Sequence, residues 1–203
     1  MVYLLYMNIP KPISKQPLPE HAQKVFTGKM FDVYQWKQKL YDGTYTTFEK
    51  IKRPDTVVIF PITNDGKIIL TEQEQPGKEP FIGGAGGRVD EGEDIVDAVQ
   101  RELKEETGYK AKTIEFWKGF QPISKMEWNI YFFFARGLSK VSNQALDGGE
   151  KIELIEVSFE EFIEIGLQPN FSEYEIYRDI VEAKLNNSNF DKLKALFLGI
   201  LSS

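Results

Sequence analysis

The stretch Gly87 to Tyr109, GRVDEGEDIVDAVQRELKEETGY, decides how the rest of the chain is read. Its second half gathers Glu102, Glu105 and Glu106 behind Arg101. On a helix, residues at i, i+3 and i+4 share a face. Three like charges there repel one another, so a purely structural helix gains nothing by collecting them. A divalent cation reverses that penalty, because hard Mg²⁺ prefers oxygen ligands and often shares them with substrate phosphates. The pattern points to a metal-dependent enzyme acting on phosphates. The bland alternative is an amphipathic surface helix whose charges face water, and the order of residue types around the glutamates disfavours it.

Working outward, the helix is expected from about Glu93 to Thr107. Glu93 and Asp94 suit its positive N-terminal end, and Gly108 suits its exit. Ile95, Ala98, Val99 and Leu103 supply the apolar side that docks on a sheet. Upstream, Pro76 to Gly86 reads as a glycine-rich loop. Thr56 to Ile62 and Lys67 to Glu72 read as strands joined by the turn Asn64-Asp65-Gly66. Val25 to Ile51 alternates loosely on both sides of Asp42-Gly43, a hairpin signal. Downstream, strands are expected over Lys112 to Phe120, Trp128 to Ala135 and Lys151 to Val157. Helices are expected over Phe159 to Ile165, Ser172 to Leu185 and Asp191 to Leu201. Strands and helices mix without strict βαβ alternation, so the preferred class is α/β, an α/β/α sandwich around a mixed sheet. Residues 1–20 form an arm expected to be mobile, 21–54 an N-terminal β-hairpin extension, and 55–203 the main domain.

The formal charge of −6 disfavours a nucleic-acid binder. It does not exclude an anionic ligand, because a bound metal inverts the local field. With no cysteine, disulfides, thiolate zinc sites and cysteine nucleophiles are excluded. The opening MVYLLYMNIP lacks a basic flank and is too short for a membrane span, and a cytoplasmic location is the expectation. GGAGG, from Gly83 to Gly87, lacks the last glycine of a dinucleotide fingerprint and the lysine of a P-loop. The single histidine, His21, cannot anchor a serine-hydrolase triad, and no GxSxG elbow occurs.

The quoted segment resembles the Nudix box. That pattern runs glycine, five residues, glutamate, seven residues, then arginine, glutamate, an aliphatic residue, any residue, two glutamates, any residue, glycine and an aliphatic residue. The matching positions are Gly87, Glu93, Arg101, Glu102, Leu103, Glu105, Glu106 and Gly108, with Tyr109 in place of the last aliphatic residue. PDTVVIFPITNDGKIIL is similar to the opening hairpin of Nudix domains, and residues 24–54 resemble the N-terminal extension of the ADP-ribose pyrophosphatase branch. That likeness implies a Nudix fold, a homodimer built partly through the extension, and no nucleic-acid or membrane partner.

The resemblance also implies roles. Glu102 and Glu106 become the principal metal ligands, Glu105 bridges or holds metal-bound water, and the carbonyl of Gly86 adds an oxygen; Mg²⁺ is the expected ion, with Mn²⁺ as a substitute. Gly87 permits close approach to a phosphate. Arg101 orients a box carboxylate, with Glu93 as the candidate. The general base is sought in the loop Gln144 to Lys151, where Glu150 is preferred over Asp147. Arg53 is placed near the pyrophosphate or terminal ribose, and Phe31, Tyr34, Trp36 and Phe48 are candidates for stacking on a base, against a plain packing role for each. Pro122 resembles the proline that marks the branch. Two departures stand out. Gln73-Glu74-Gln75 occupies the place of a family arginine, leaving only Lys78 or Lys118 as substitutes without fork geometry. GGAG, Gly83 to Gly86, replaces a glutamate-leucine-proline-alanine run. The implied activity is Mg²⁺-dependent hydrolysis of the pyrophosphate of a nucleoside diphosphate sugar, ADP-ribose-like, giving a nucleoside monophosphate and a sugar phosphate. The competing readings are GDP-mannose or another sugar nucleotide as substrate, and a Nudix-fold sensor that binds nucleotide without turnover.

Overall fold

The computed structural model describes residues 9–200. Most of the apolar opening and the expected end of the terminal helix at Leu201 lie outside the described residues. The chain first lays down β1 (Gln23–Thr27), β2 (Asp32–Lys39) and β3 (Tyr45–Lys52). β2 and β3 pair antiparallel across the Asp42-Gly43 turn, where Asp42 Oδ1 accepts from the N–H and hydroxyl of Thr44 at 2.9 and 2.7 Å. The expected hairpin forms, and β1 adds a third strand to it.

The main domain opens with β4 (Thr56–Pro61) and β5 (Ile68–Gln75), followed by β6 (Lys78–Gly83) and β7 (Ala85–Arg88). The last two occupy most of the segment expected to be a loop. Glycine-rich backbone still carries a full set of N–H and C=O groups, and here they are spent on ladders with β5 and β4. Helix α1 (Ile95–Thr107) starts two residues later than Glu93 because Asp94 is its N-cap, accepting from Val96 N–H at 2.8 Å. Gly108 closes it in the left-handed conformation, φ 70°. Then come β8 (Tyr109–Lys110), β9 (Thr113–Phe120), β10 (Met126–Glu127), β11 (Ile130–Arg136), β12 (Ser139–Lys140) and β13 (Lys151–Val157). Helix α2 (Phe159–Ile165), a 3-10 turn (Tyr174–Ile176), α3 (Tyr177–Leu185) and α4 (Asn187–Leu198) finish the described chain. The helix read from Ser172 onward is thus a 3-10 turn plus α3, and α4 begins before Asp191 because Asn186 caps it through Ser188 N–H.

A central mixed sheet has the order β7-β4-β11-β9, with β4 and β11 parallel and the flanking pairs antiparallel. Alternation along its two inner strands sorts residues to opposite faces. Val57, Ile59, Tyr131 and Phe133 meet α1 on one side. Val58, Phe60, Phe132 and Phe134 meet α2, α3 and α4 on the other. This is the expected α/β/α sandwich, with a second sheet, β13-β5-β6, beside the first. The extension joins the body where β10 lies parallel to β3. There Lys50 is buried and donates to Glu127 at 2.7 Å, to the Gln16 carbonyl at 2.6 Å and to Ser14 Oγ at 3.2 Å. Part of the arm expected to be mobile therefore completes the coordination of a buried ammonium, which an unpaired burial would forbid.

The C-terminal helix has a structural task. Phe197 is fully buried, with ring centroids 4.7 Å from Phe134 and Phe162 and 5.4 Å from Phe60 and Trp117. Arg136 holds the end of α4 by donating to the carbonyls of Phe197 and Leu196 at 2.6 and 2.8 Å, a cation placed where the helix dipole is negative. Truncating a ring at the centre of such a cluster leaves a cavity. Phe197→Ala is expected to cost about 3–5 kcal/mol, read as a lower urea midpoint at unchanged m-value. A loss within the error of the measurement would show that α4 is not part of the core.

Candidate active site

Two carboxylates of α1, Glu102 and Glu106, do not point into open water. Its buried residues are Ala98, Val99, Glu102, Leu103, Glu106 and Thr107, so two glutamates share the docking face with the apolar anchors. Val99 and Leu103 seat the helix on β4, and the glutamates at its edge then fall against the glycine turn entering β7. Glu106 Oε2 accepts from the Gly86 N–H at 2.8 Å. Glu102 lies so close to Gly87 that a Cβ there would sit 2.5 Å from its Oε1; only glycine leaves that space. Glu105, one position round the helix, has a side chain 43% exposed and faces the solvent edge.

Arg101 ties the rest together. Its Nε and Nη2 donate to the two oxygens of Glu93 at 2.8 and 2.9 Å, a fork that only a guanidinium makes. Its Nη1 reaches Glu102 Oε1 at 2.7 Å and Glu105 Oε2 at 3.1 Å, and Nη2 also reaches the Arg88 carbonyl at 2.9 Å. Glu93 in turn accepts from the Asp90 N–H at 3.0 Å. One guanidinium thereby fixes α1, its N-terminal loop and two of the three grouped glutamates.

The field here is strongly anionic. Desolvation pushes Glu106 up to about 8, with Glu102, Glu150 and Glu173 adding like-charge repulsion. Burial likewise raises Glu102, although Arg101 pulls it back. Hard oxygen donors that are costly to charge without a counter-ion suit a divalent cation. Glu102, Glu105, Glu106 and the Gly86 backbone supply such donors around one wall. Among the described residues no group of three or more acidic or histidine side chains is gathered closely enough to hold a metal ion.

These groups line a cleft of about 720 Å³. It holds Gly86, Gly87, Arg101, Glu102, Glu105 and Glu106 on one wall, and Arg53, Asp147 and Glu150 face the same space. Glu150 is carried by the loop before β13, which is tacked to the end of α1: Ala145 N–H donates to the Glu105 carbonyl at 2.8 Å, and Gln144 Nε2 to the Glu106 carbonyl at 2.6 Å. Arg53 stacks 4.5 Å from Trp128 and 5.9 Å from Phe31; its Nε is buried with no hydrogen-bond partner among the described residues. Gln73 and Gln75, standing where an arginine was expected, also line the cleft.

Other candidates fall elsewhere within one chain. Trp36 is buried in the extension, its ring 5.9 Å from Phe48. Tyr34, on the same strand, packs 5.8 Å from the Lys24 ammonium, and neither it nor Trp36 lines the cleft. Lys118 is held by Asp179 of α3 at 2.6 Å, and Lys78 lies over the Phe81 ring. Pro122 sits in the exposed loop between β9 and β10. Lys29, Met30, Arg88 and Asp90 line the cleft without having been singled out from the sequence. Only the acidic density of DEGED, residues 90–94 within the box, offered a signal for Asp90.

A family model described as NUDIX domain matches residues 52–180. The chain is 30% identical over 146 residues to the methanol dehydrogenase activator of Bacillus methanolicus, covering 70% of this chain and 79% of the relative. The ADP-ribose pyrophosphatase of Bacillus subtilis (strain 168) gives the same identity and coverage. The ADP compounds hydrolase NudE of Escherichia coli (strain K12) is 27% identical over 106 residues, 51% of this chain and 57% of the relative. A crystal structure of an ADP compounds hydrolase superposes with a TM-score of 0.66 at 23% identity, covering 88% of this chain and 98% of that one; this likeness concerns the fold.

Because Arg101 is 29% exposed and its partners Glu93 and Glu102 are 17% and 11% exposed, its removal leaves half-buried carboxylates facing one another. Arg101→Leu is expected to destabilise the metal-free protein by about 3 kcal/mol, the low end for a broken buried pair, and an added divalent cation should recover part of the loss. Urea denaturation with and without chelator measures both. A variant as stable as wild type in chelator would contradict this account of the network.

Proposed function

The chain belongs to the Nudix family, and from that premise we propose that it is a Mg²⁺-dependent pyrophosphatase of nucleoside diphosphate sugars, with ADP-ribose as the representative substrate. The observation that carries the reading is the pair of buried carboxylates, Glu102 and Glu106, set against the Gly86-Gly87 turn at the wall of an open, acid-lined cleft. Arg101 answers Glu102, but no side-chain cation among the described residues pairs with Glu106, and burying a carboxylate there is costly unless a cation answers it.

In this reading Glu102 and Glu106 hold the ion, Glu105 carries a share at the solvent edge, and the Gly86 carbonyl contributes an oxygen. Bound there, Mg²⁺ or Mn²⁺ neutralises phosphate charge and lowers the pKa of water. Arg101 keeps Glu102 and Glu105 from swinging away, acting through Glu93 and the Arg88 carbonyl. Glu150, across the cleft, accepts the proton of the attacking water. Water adds to one phosphorus as the bridging P–O bond breaks, leaving a nucleoside monophosphate and a sugar phosphate. Arg53 faces the substrate with a guanidinium that no carboxylate among the described residues has claimed, 4.5 Å from the Trp128 ring and 5.9 Å from that of Phe31. The name of the Bacillus subtilis relative supports ADP-ribose as the class of substrate.

We also propose a homodimer through the extension. β1 is exposed along its whole length, and Val25 and Phe26 present apolar side chains there, with Met30 and Phe31 exposed in the link to β2. A patch of that kind on an edge strand marks an interface. No described helix is long and apolar enough to cross a membrane.

With Mg²⁺, the purified protein should convert ADP-ribose to AMP and ribose 5-phosphate, and chelation should stop the reaction. Glu106→Gln should lower kcat at least about a hundredfold, more than loss of a ligand's supporting partner typically costs, with its circular dichroism spectrum retained. Glu150→Gln should lower kcat as well; intact turnover would remove Glu150 as the base. Absence of products from ADP-ribose, GDP-mannose and other sugar nucleotides with either metal would favour the sensor reading. Sedimentation should report a dimer that Phe26→Asp dissociates, and a monomeric wild type would discard the interface.

A further inference from the structure

Two buried carboxylates grip the same glycine turn from opposite sides, and only one of them belongs to the box. Glu106 takes the Gly86 N–H from the side of α1. From the other side Glu173, 7% exposed, takes the Gly84 N–H at 3.1 Å and the Ser172 hydroxyl at 2.9 Å, both through Oε1. Its segment reaches this place by running beside β6. The Ile82 N–H donates to the Asn170 carbonyl, and the Ser172 N–H to the Ile82 carbonyl, each at 2.9 Å.

The approach is built into the backbone. A Cβ on Gly83 would lie 2.5 and 2.8 Å from the two oxygens of Glu173 and 2.2 Å from Ser172 Oγ. The same turn is held from β5: Thr71 Oγ1 lies 3.2 and 3.1 Å from the Gly83 and Gly84 carbonyls and accepts from Gln73 Nε2 at 2.9 Å. Glu173 has no ion-pair partner, and its Oε2 is buried without a hydrogen bond among the described residues. An orphaned buried acceptor is a desolvation cost. Stability alone does not account for a carboxylate there.

We propose that Glu173 is a positioning residue for the metal site, fixing the Gly84 to Gly86 segment that leads into β7 so that the Gly86 N–H that orients Glu106 keeps its place beside the cleft. This rests on the pyrophosphatase reading and extends it to a residue outside the box. It acts through the backbone and touches neither ion nor substrate.

The test compares wild type, Glu173→Leu, Glu173→Gln and Gly83→Ala by titration with Mn²⁺ alone, following free Mn²⁺ by electron paramagnetic resonance, alongside the Mg²⁺ dependence of ADP-ribose hydrolysis. Glu173→Leu fills the space but offers no acceptor, and should weaken Mn²⁺ binding about tenfold, the scale of lost supporting contacts around metal ligands. The effect should fall on the KM for Mg²⁺ more than on kcat. Glu173→Gln keeps an acceptor for Gly84 and should return within about twofold of wild type. Gly83→Ala displaces the carboxylate and should mimic Glu173→Leu, with no further loss when the two are combined. Mn²⁺ affinity in Glu173→Leu equal to wild type overturns the proposal, as does a Gln variant as impaired as the Leu variant. If Glu173→Leu does not fold, unchanged affinity in Gly83→Ala and Ser172→Ala overturns it equally. A wild type that binds no Mn²⁺ overturns it together with the reading it rests on, whereas a wild type that binds and hydrolyses while Glu173→Leu matches it overturns the proposal alone.

Discussion

A charge carried into a helix–sheet interface has to be answered there, and in this molecule the answer begins with the Gly86 N–H bonded to Glu106. The contact exists only if α1 is pressed onto β4 and β7, which Val99 and Leu103 accomplish by filling the space under the central sheet. It also needs the neighbouring backbone to be bare, since Glu102 occupies the volume a Gly87 side chain would take. Packing and chemistry are therefore one arrangement. The apolar stripe that docks the helix sets the depth at which its acidic edge stops, and loosening either releases both.

Much of this was legible in the chain. The spacing of Gly87, Glu93, Arg101, Glu102, Glu105 and Glu106 is a local pattern, and local patterns survive without a structure. Asp42-Gly43 and Asn64-Asp65-Gly66 announced their turns because short polar residues and glycine relieve a definite backbone strain. Strand β7, AGGR, was not legible because its glycines carry no side chains whose alternation could betray a ladder, and β6, KEPFIG, was hidden by Pro80 and by the glycines around it. Nothing in the sequence marks Lys50 and Glu127, yet they meet at 2.7 Å across a distance in sequence that no periodicity spans. Glu173 was hidden for the same reason: its partners Gly83 and Gly84 lie on another element, and an acidic residue before a helix has a simpler local reading as a terminal charge. Phe197 shows the converse, since an amphipathic tail gives no sign of reaching the centre of the core.

In the proposed reading, the side of the cleft that recognises substrate obeys a different constraint from the side that hydrolyses it. Gln73, in place of the family's arginine, donates to Thr71, so its amide is committed to the strand and cannot act as a phosphate fork. On that reading the guanidinium that meets the anion is that of Arg53, which follows β3 in the link to β4. Its backbone N–H is held by the Glu127 carbonyl at 3.2 Å, and its side chain by Trp128 and Phe31. Arg53 is therefore placed by the seam between the extension and the main domain, whereas the carboxylates are placed by α1 and the glycine turn. In the proposed reading, substrate choice and bond cleavage are supported by separate parts of the fold. The extension can change which sugar nucleotide is held without disturbing the ion, and the box can keep its geometry while the pocket above it varies. The same separation explains how a box with all its glutamates and arginine in place can coexist with an unusual second strand.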